Sequence, residues 1–231
     1  MAFHSNGTNL AYQRNGTPII APAIEPKLHV VDDEPTVRDS LRDLARSVGL
    51  PVATYSSARE FLLGNESGVA GCLVLDVRLP GMSGLELQAE LQARKIRVPI
   101  IMVTAYADVA SAVAALKGGA MDFVEKPFSR QLLLERINKG LELDREIRRA
   151  DGQRTMLEHR LATLTPRERQ VMDLVAGGNT NKAIAIDLGL REKTVEVHRA
   201  HVMQKMKAAS LAELVWMLSV LDRAPDRHAE R

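Results

Sequence analysis

Cysteine is almost absent from this 231-residue chain, and net charge nearly so, at +2. The one cysteine, Cys72, excludes an internal disulfide. Its place inside an apolar run reads as a small buried hydrophobe in a reduced setting, so a cytoplasmic location is expected. No apolar run approaches the ~18 residues that would cross a membrane, so no membrane partner is expected. The first 26 residues have no apolar stretch of the kind a secretory signal carries. They are rich in Asn, Gly, Thr and Pro, show no periodicity, and read as a disordered lead. A net charge this small carries no argument for nucleic acid by itself.

What is there is an ordinary globular composition, 45% hydrophobic and 26% charged, at a length that suits one or two domains. The charge is uneven. Residues 27–128 carry 11 basic against 13 acidic side chains, residues 129–163 carry 8 against 6, and residues 164–231 carry 11 against 9. An acid-rich front and a slightly basic back suggest two different jobs.

Residues 27–128 alternate short apolar runs with amphipathic segments. The runs are 28–31, 51–55, 72–75, 98–103 and 121–125. Helical patterns cover the stretch from Pro35 through Val48, then 57–63, 83–93 and 107–118, and another opens at Ser129. Five such repeats predict a doubly wound, five-stranded parallel sheet covered on both faces, because strands buried on both sides read as continuous apolar runs. Residues 129–163 form a polar helical pattern with an apolar face at Leu133, Leu134, Ile137 and Leu141. Asp151-Gly152 is expected to weaken or break it, before Leu157, Leu161 and Leu164 resume the spacing. The segment reads as a helical linker, and both self-association and a solvated spacer stay open.

From Leu164 to about residue 222 the period is purely helical. Thr165-Pro166-Arg167-Glu168 is a capping box with Pro at the first helical position, and Gly177-Gly178 stops that helix. Thr180 caps a second helix, expected to bury Ala183, Ile184 and Leu188. A third runs from about Glu192 to Lys207, and Ser210 caps a fourth. The chain therefore reads as an α/β domain joined by a helical linker to an all-α four-helix domain, with a patternless tail over 223–231.

In an open parallel sheet, ligands collect at the carboxyl ends of the strands. Those ends carry Asp32-Asp33, Asp76, Thr104 and Lys126. Singly, each has an ordinary explanation: the Asp pair before Pro35 as a helix cap, Asp76 before Leu79-Pro80-Gly81 as a turn former. Jointly they put three carboxylates, a hydroxyl and an ammonium on one rim. Such oxygens suit Mg2+, which would offset their repulsion. An exposed Asp beside a metal suits a carboxylate nucleophile that takes a phosphoryl group, with Mg2+ and Lys126 supplying positive charge and Thr104 a hydrogen bond.

The segments VVDDE (30–34), LVLDVRLPGMSG (73–84), VTAY (103–106) and EKPF (125–128) resemble the receiver domain of two-component response regulators, a flavodoxin-like or CheY-like fold. The resemblance implies that Asp76 is the phosphoacceptor, charged from a phosphohistidine on a sensor histidine kinase. It implies Asp32, Asp33, Asp76 and the backbone carbonyl of Arg78 as metal ligands. Thr104 and Lys126 would bind the phosphoryl group, and Phe123 would couple to Thr104 as the switch aromatic. Tyr106 departs from the small residue or His expected in the nearest subgroup, which leaves the phosphorylated lifetime open.

Residues 164–221 resemble the LuxR-type helix-turn-helix output domain, in the FixJ-like group, through LTPRERQVMDLVAGG (164–178), NKAIAIDLGL (181–190), TVEVHRAHVMQKMKA (194–208) and SLAELV (210–215). A tight turn at Gly189 would set the third helix across the second, and the N-terminal half of such a helix enters the major groove. Glu196 suits a cytosine amino group and Val197 a thymine methyl. Lys182, Lys193, Thr194, Arg199 and Lys205 complete the expected DNA-binding set, mostly as phosphate contacts. The exposed part of the fourth helix is expected to pair two output domains.

The expectation is a phosphorylation-activated, DNA-binding transcriptional regulator that is not an enzyme. Its partners would be the kinase, double-stranded DNA at an inverted repeat, RNA polymerase and a second phosphorylated copy. Phosphorylation would pull Thr104 inward and reshape the face of helix 107–118 and strand 5, where two receivers pair. Two rivals stand beside it. An aspartyl phosphatase would want a second acid where Arg78 stands. A phosphorylation-independent DNA-binding regulator would have no use for the full set of five rim residues.

Overall fold

The computed structural model describes residues 25–65, 68–106 and 108–222. The tail expected over 223–231 and nearly all of the expected lead lie outside them. The chain divides into two compact units, residues 1–145 and 146–231.

In the first unit five strands, β1 (Lys27–Val31), β2 (Val52–Tyr55), β3 (Gly71–Asp76), β4 (Ile100–Thr104) and β5 (Asp122–Glu125), alternate with the helices α1 (Pro35–Ser47), α2 (Ala58–Gly64), α3 (Gly84–Ala93) and α4 (Val109–Lys117). All strand pairs are parallel, in the order β2-β1-β3-β4-β5. Alternate residues on each strand feed opposite faces. Leu73, Leu75 and Met102 pack with Phe61, Leu87 and Leu91 from α2 and α3. Cys72, Val74, Ile101 and Val103 pack with Leu41 and Leu44 of α1 and with Leu133 and Ile137 of the next helix. Every β3 side chain is buried, as a central strand between two helical layers requires.

Local signals set the helix starts. Ser57, Ser83 and Asp108 cap α2, α3 and α4 through their side-chain oxygens. Ser83 and Glu86 form a full capping box, which starts α3 directly after the rigid 79–82 turn.

The long helix α5 runs unbroken from Arg130 to Ala162, which corrects the expected break at Asp151-Gly152. Nothing stands near where a Gly152 side chain would be. That glycine costs about 1 kcal/mol of helix propensity and no packing, too little to end a helix anchored on both sides of it. Gly140 is different. A Cβ there would lie 2.5 Å from Cys72 Sγ and 3.2 Å from Met121 Sδ, so the bare backbone is what lets α5 lie against β3.

The second unit contains the last turns of α5 and four more helices, α6 (Pro166–Ala176), α7 (Asn181–Leu188), α8 (Glu192–Met206) and α9 (Leu211–Asp222). Leu157 is buried against Met172, Val202, Met206, Leu214 and Met217, with Leu161 and Leu164 partly buried beside it. The resumed leucine stripe is therefore core of this unit and is not free for self-association. A second cluster joins Val171, Val175, Ile184, Ala185 and Val195. Ala183 is exposed, and Ala185 takes the inward place expected for it.

Thr165 and Glu168 form the capping box that starts α6. Glu168 is buried, and its Oε2 also accepts a hydrogen bond from Lys205 Nζ on α8 at 2.5 Å. The ammonium, with the Thr165 backbone N–H, pulls its carboxyl down to about 2. One carboxylate thus caps α6 and ties it to α8.

Two outcomes follow from this packing. Gly152→Ala should stabilise slightly. Gly140→Ala should destabilise the first unit by about 1–3 kcal/mol through overpacking, read as lost hydrogen-exchange protection of β3 amides, and adding Cys72→Ala should restore most of it. For Glu168, the folded carboxyl lies below its ordinary 4.5. Its contribution is therefore full above that value and fades as pH falls towards 2. Unfolding followed by Trp216, the single tryptophan, should show Glu168→Gln less stable than wild type at neutral pH, with the gap closing below pH 4.5.

Candidate functional site

Strand register builds the site. Val31 pairs with Leu75 across the β1–β3 junction, so Asp32 and Asp76 sit side by side at adjacent strand ends. On the other flank of β3, Asp76 pairs with Val103, and Thr104 pairs with Glu125. The Lys126 backbone N–H donates to the Thr104 carbonyl at 2.7 Å, which brings Lys126 to the same rim. The β1–β3 boundary is where the chain reverses its direction of winding, the usual place for a ligand in such a sheet.

Asp32 is fully buried and Asp76 is 5% exposed, while Asp33 is exposed. One oxygen from each of the three carboxylates falls within a 4.8 Å cluster, a spacing that suits a hard divalent cation. Lys126 Nζ lies 2.7 Å from Asp32 Oδ2, 2.6 Å from Asp76 Oδ2 and 3.6 Å from Glu34. Burial pushes the Asp32 carboxyl above its ordinary range, against hydrogen bonds from Lys126 and the Glu34 N–H. Burial opposes the charge on Lys126 too, yet its bonds to Asp32 and Asp76 hold the ammonium above its usual pKa.

The remaining rim residues lie around this triad. The Arg78 backbone N–H donates to Asp76 Oδ1 at 2.9 Å, which fixes the carboxylate from its far side. Thr104 is fully buried, and its hydroxyl oxygen accepts from the Tyr106 N–H at 3.3 Å. Phe123 is half-buried, packed against the same core face as Leu75 and Met102. The structure therefore brings Asp32, Asp33, Asp76, Thr104 and Lys126 to one end of the sheet, with Phe123 on the neighbouring strand.

Three features here escape the sequence reading. Glu34 joins the charge cluster about Lys126. The Arg78 guanidinium stacks 4.2 Å above the ring of Tyr106, which is 64% exposed, so a cation–π pair spans the rim between the β3 and β4 loops. Arg38 on α1 donates to the carbonyls of both Asp32 and Asp33. Each joins residues from different loops or turns, and local periodicity carries no signal for such pairings.

In the second unit, α7 ends at Gly189 in a left-handed conformation, and α8 crosses after a short turn. Val195, Val202 and Met206 face the core. Lys182, Lys193, Glu196 and Val197 are exposed, and Thr194 and Arg199 are half-buried. Lys193 Nζ lies 2.9 Å from Glu196, and an Arg199 N–H donates to Asn181 Oδ1 at 3.1 Å, linking α8 to the start of α7. Lys205, expected as a phosphate contact, is half-buried, and its ammonium lies 2.5 Å from buried Glu168. Ile186, 76% exposed on α7, is an apolar surface residue that the sequence reading passes over. On α9, Leu214 and Met217 are buried while Leu211, Val215 and Trp216 stay exposed.

Known protein families match both parts of the chain. Residues 28–138 match the response regulator receiver domain, and residues 162–218 match the bacterial regulatory proteins of the luxR family. Nodulation protein W of Bradyrhizobium diazoefficiens is 49% identical over 83% of this chain and 85% of its own length. The transcriptional regulatory protein FixJ of Azorhizobium caulinodans is 46% identical over 86% and 94%. The solved structure of the response regulator StyR superposes with a TM-score of 0.77 at 46% identity, covering 84% of this chain and 98% of that one. Full-length FixJ from B. japonicum gives a TM-score of 0.51 at 37% identity, covering 85% and 97%. With a receiver sheet bearing an acidic rim and a helix-turn-helix unit after it, the chain belongs to the response regulators that join a receiver domain to a luxR-family domain.

Proposed function

We propose that the protein is a transcription regulator switched by phosphorylation of Asp76. The observation that carries this reading is the triad at the sheet's rim, in which Asp76 and Asp32 each accept a hydrogen bond from Lys126. Such a carboxylate is held and partly neutralised. In the transfer, an Asp76 oxygen forms the bond to phosphorus as the phosphorus–nitrogen bond of a kinase phosphohistidine breaks. The imidazole leaves with the electron pair, and the product is an acyl phosphate.

The residues fit Mg2+: Asp32, Asp33 and Asp76 would hold it, with the Arg78 carbonyl completing the protein's share. When bound, it supplies positive charge against the spreading charge of the transferring phosphoryl group. Lys126 supplies further positive charge from the other side and keeps Asp76 oriented through its Oδ2 contact. Once the phosphoryl group is present, Lys126 gains a stronger partner than either carboxylate. The Thr104 hydroxyl, whose oxygen accepts from the Tyr106 N–H at 3.3 Å, turns to donate to a phosphoryl oxygen. Space vacated beside Thr104 admits the ring of half-buried Phe123. The face of α4 and β5 changes with it, and two receivers pair there. This is a shift between two receiver populations.

In the output unit, the exposed N-terminal half of α8 supplies base contacts through Glu196 and Val197. Lys182, Lys193, Thr194 and Arg199 hold phosphates. Exposed Leu211, Val215 and Trp216 on α9 are the surface by which two output units meet on an inverted repeat. Kinase, DNA, RNA polymerase and a second copy are the partners this reading requires.

Two measurements test it. With acetyl phosphate and Mg2+, wild type should shift towards a dimer in gel filtration and bind its operator more tightly. Asp76→Asn should stay folded and show neither response; a response equal to wild type's would remove Asp76 from the role. On DNA, Lys182→Ala should lower affinity for all sequences and reduce the slope of log affinity against log salt by about 0.9. Lys205→Met should leave that slope unchanged.

A further inference from the structure

The connection from β1 to α1 is only Asp32, Asp33 and Glu34, and two of the three clustered carboxylates hang from it. Asp32 is steered by its own bonds: its Oδ1 accepts from the Glu34 N–H at 3.0 Å and its Oδ2 from Lys126. Solvent-exposed Asp33 takes its aim from its backbone. The Glu34 N–H bond to Asp32 braces this loop in part, but the α1 cap residue Glu34 makes no side-chain capping bond. Carboxylates this close also repel one another.

The restraint comes from the second turn of α1. Arg38 Nη1 donates at 2.6 Å to the Asp32 carbonyl and at 2.9 Å to the Asp33 carbonyl. One nitrogen thus holds two consecutive peptide groups. The Arg38 backbone N–H also donates to the Glu34 carbonyl at 3.2 Å, so the clamp stands on the first turn of the helix it braces. A guanidinium suits this better than an ammonium, since its N–H bonds point in fixed, planar directions.

We infer that Arg38 is a positioning residue for the acidic pocket: by clamping the carbonyls of Asp32 and Asp33 it holds both carboxylates on Asp76 and thereby sets the pocket's affinity for a divalent cation. The inference rests on the proposed Mg2+ site. Its sign is unusual. Arg38 is itself a cation near the pocket, so through charge alone its removal would tighten Mg2+ binding. Positioning requires the opposite.

The test is calorimetric titration of the full chain with Mg2+, for wild type, Arg38→Gln and Arg38→Lys, with circular dichroism to check folding. Arg38→Gln should bind Mg2+ about ten-fold more weakly, as loss of a residue that orients metal ligands typically does. Arg38→Lys should fall between the two, because it restores the charge and a donor but not the planar geometry. Tighter binding by the Gln variant, or unchanged binding by a folded Gln variant, overturns the inference. If the Gln variant does not fold, the Lys variant decides: weaker binding than wild type supports the clamp, and equal binding overturns it. A wild type that binds no Mg2+ overturns this inference together with the Mg2+ site it rests on. Wild-type binding matched by both variants overturns the inference alone.

Discussion

Two carboxylates at neighbouring strand ends, both cut off from water, repel each other unless a cation lies between them. Lys126 Nζ is that cation, at 2.7 and 2.6 Å from Asp32 and Asp76. Without it the close approach of β1 and β3 at their carboxyl ends would leave uncompensated buried charge, among the most costly arrangements a fold can contain. The same triad makes the site usable. One ammonium offsets part of the negative charge of this pocket, and the rest leaves it suited to a further cation.

The second unit solves a related problem without leaving anything free to switch. Glu168 is buried, caps α6, and receives Lys205 from α8. Its bonds stay inside one compact body, so they stiffen the frame from which α8 presents its outward face. The contrast with Lys126 is one of supply. Lys126 is shared among three carboxylates at the sheet's rim, whereas Lys205 bonds the single carboxylate of Glu168.

The five rim residues were legible because β/α alternation places strand ends at known positions, and polar side chains there stand out against apolar runs such as 72–75. Helix starts were legible at Thr165 and Thr180, where the capping chemistry lies within three or four residues. The bond from Lys205 to Glu168 was not legible because its partners lie 37 positions apart in the chain, and a lysine on a helix looks the same whether it faces solvent or a buried acid. Gly152 was over-weighted because intrinsic propensity is a small local cost, and packing of Ile137 and Leu141 before it and Leu157 after it outweighs that cost. The inward place of Ala185 in preference to Ala183 is a question of helix phase, which eight residues with alternating small side chains leave ambiguous.

Sequence by itself determined the alternation of elements, the two-unit organisation, and the set of chemical groups at the strand ends, because each is written in local periodicity and spacing. Tertiary structure decided which of those groups touch. The order β2-β1-β3-β4-β5 makes Asp32 and Asp76 neighbours, and the register of β4 on β5 delivers Lys126 to them. The fold likewise turned Arg38 from a charge on a helix into a clamp on two carbonyls. Strand pairing joins residues tens of positions apart through backbone bonds that any side chain can make. The contacts between strand ends that build this site are therefore absent from every local pattern and exist only once the sheet has closed.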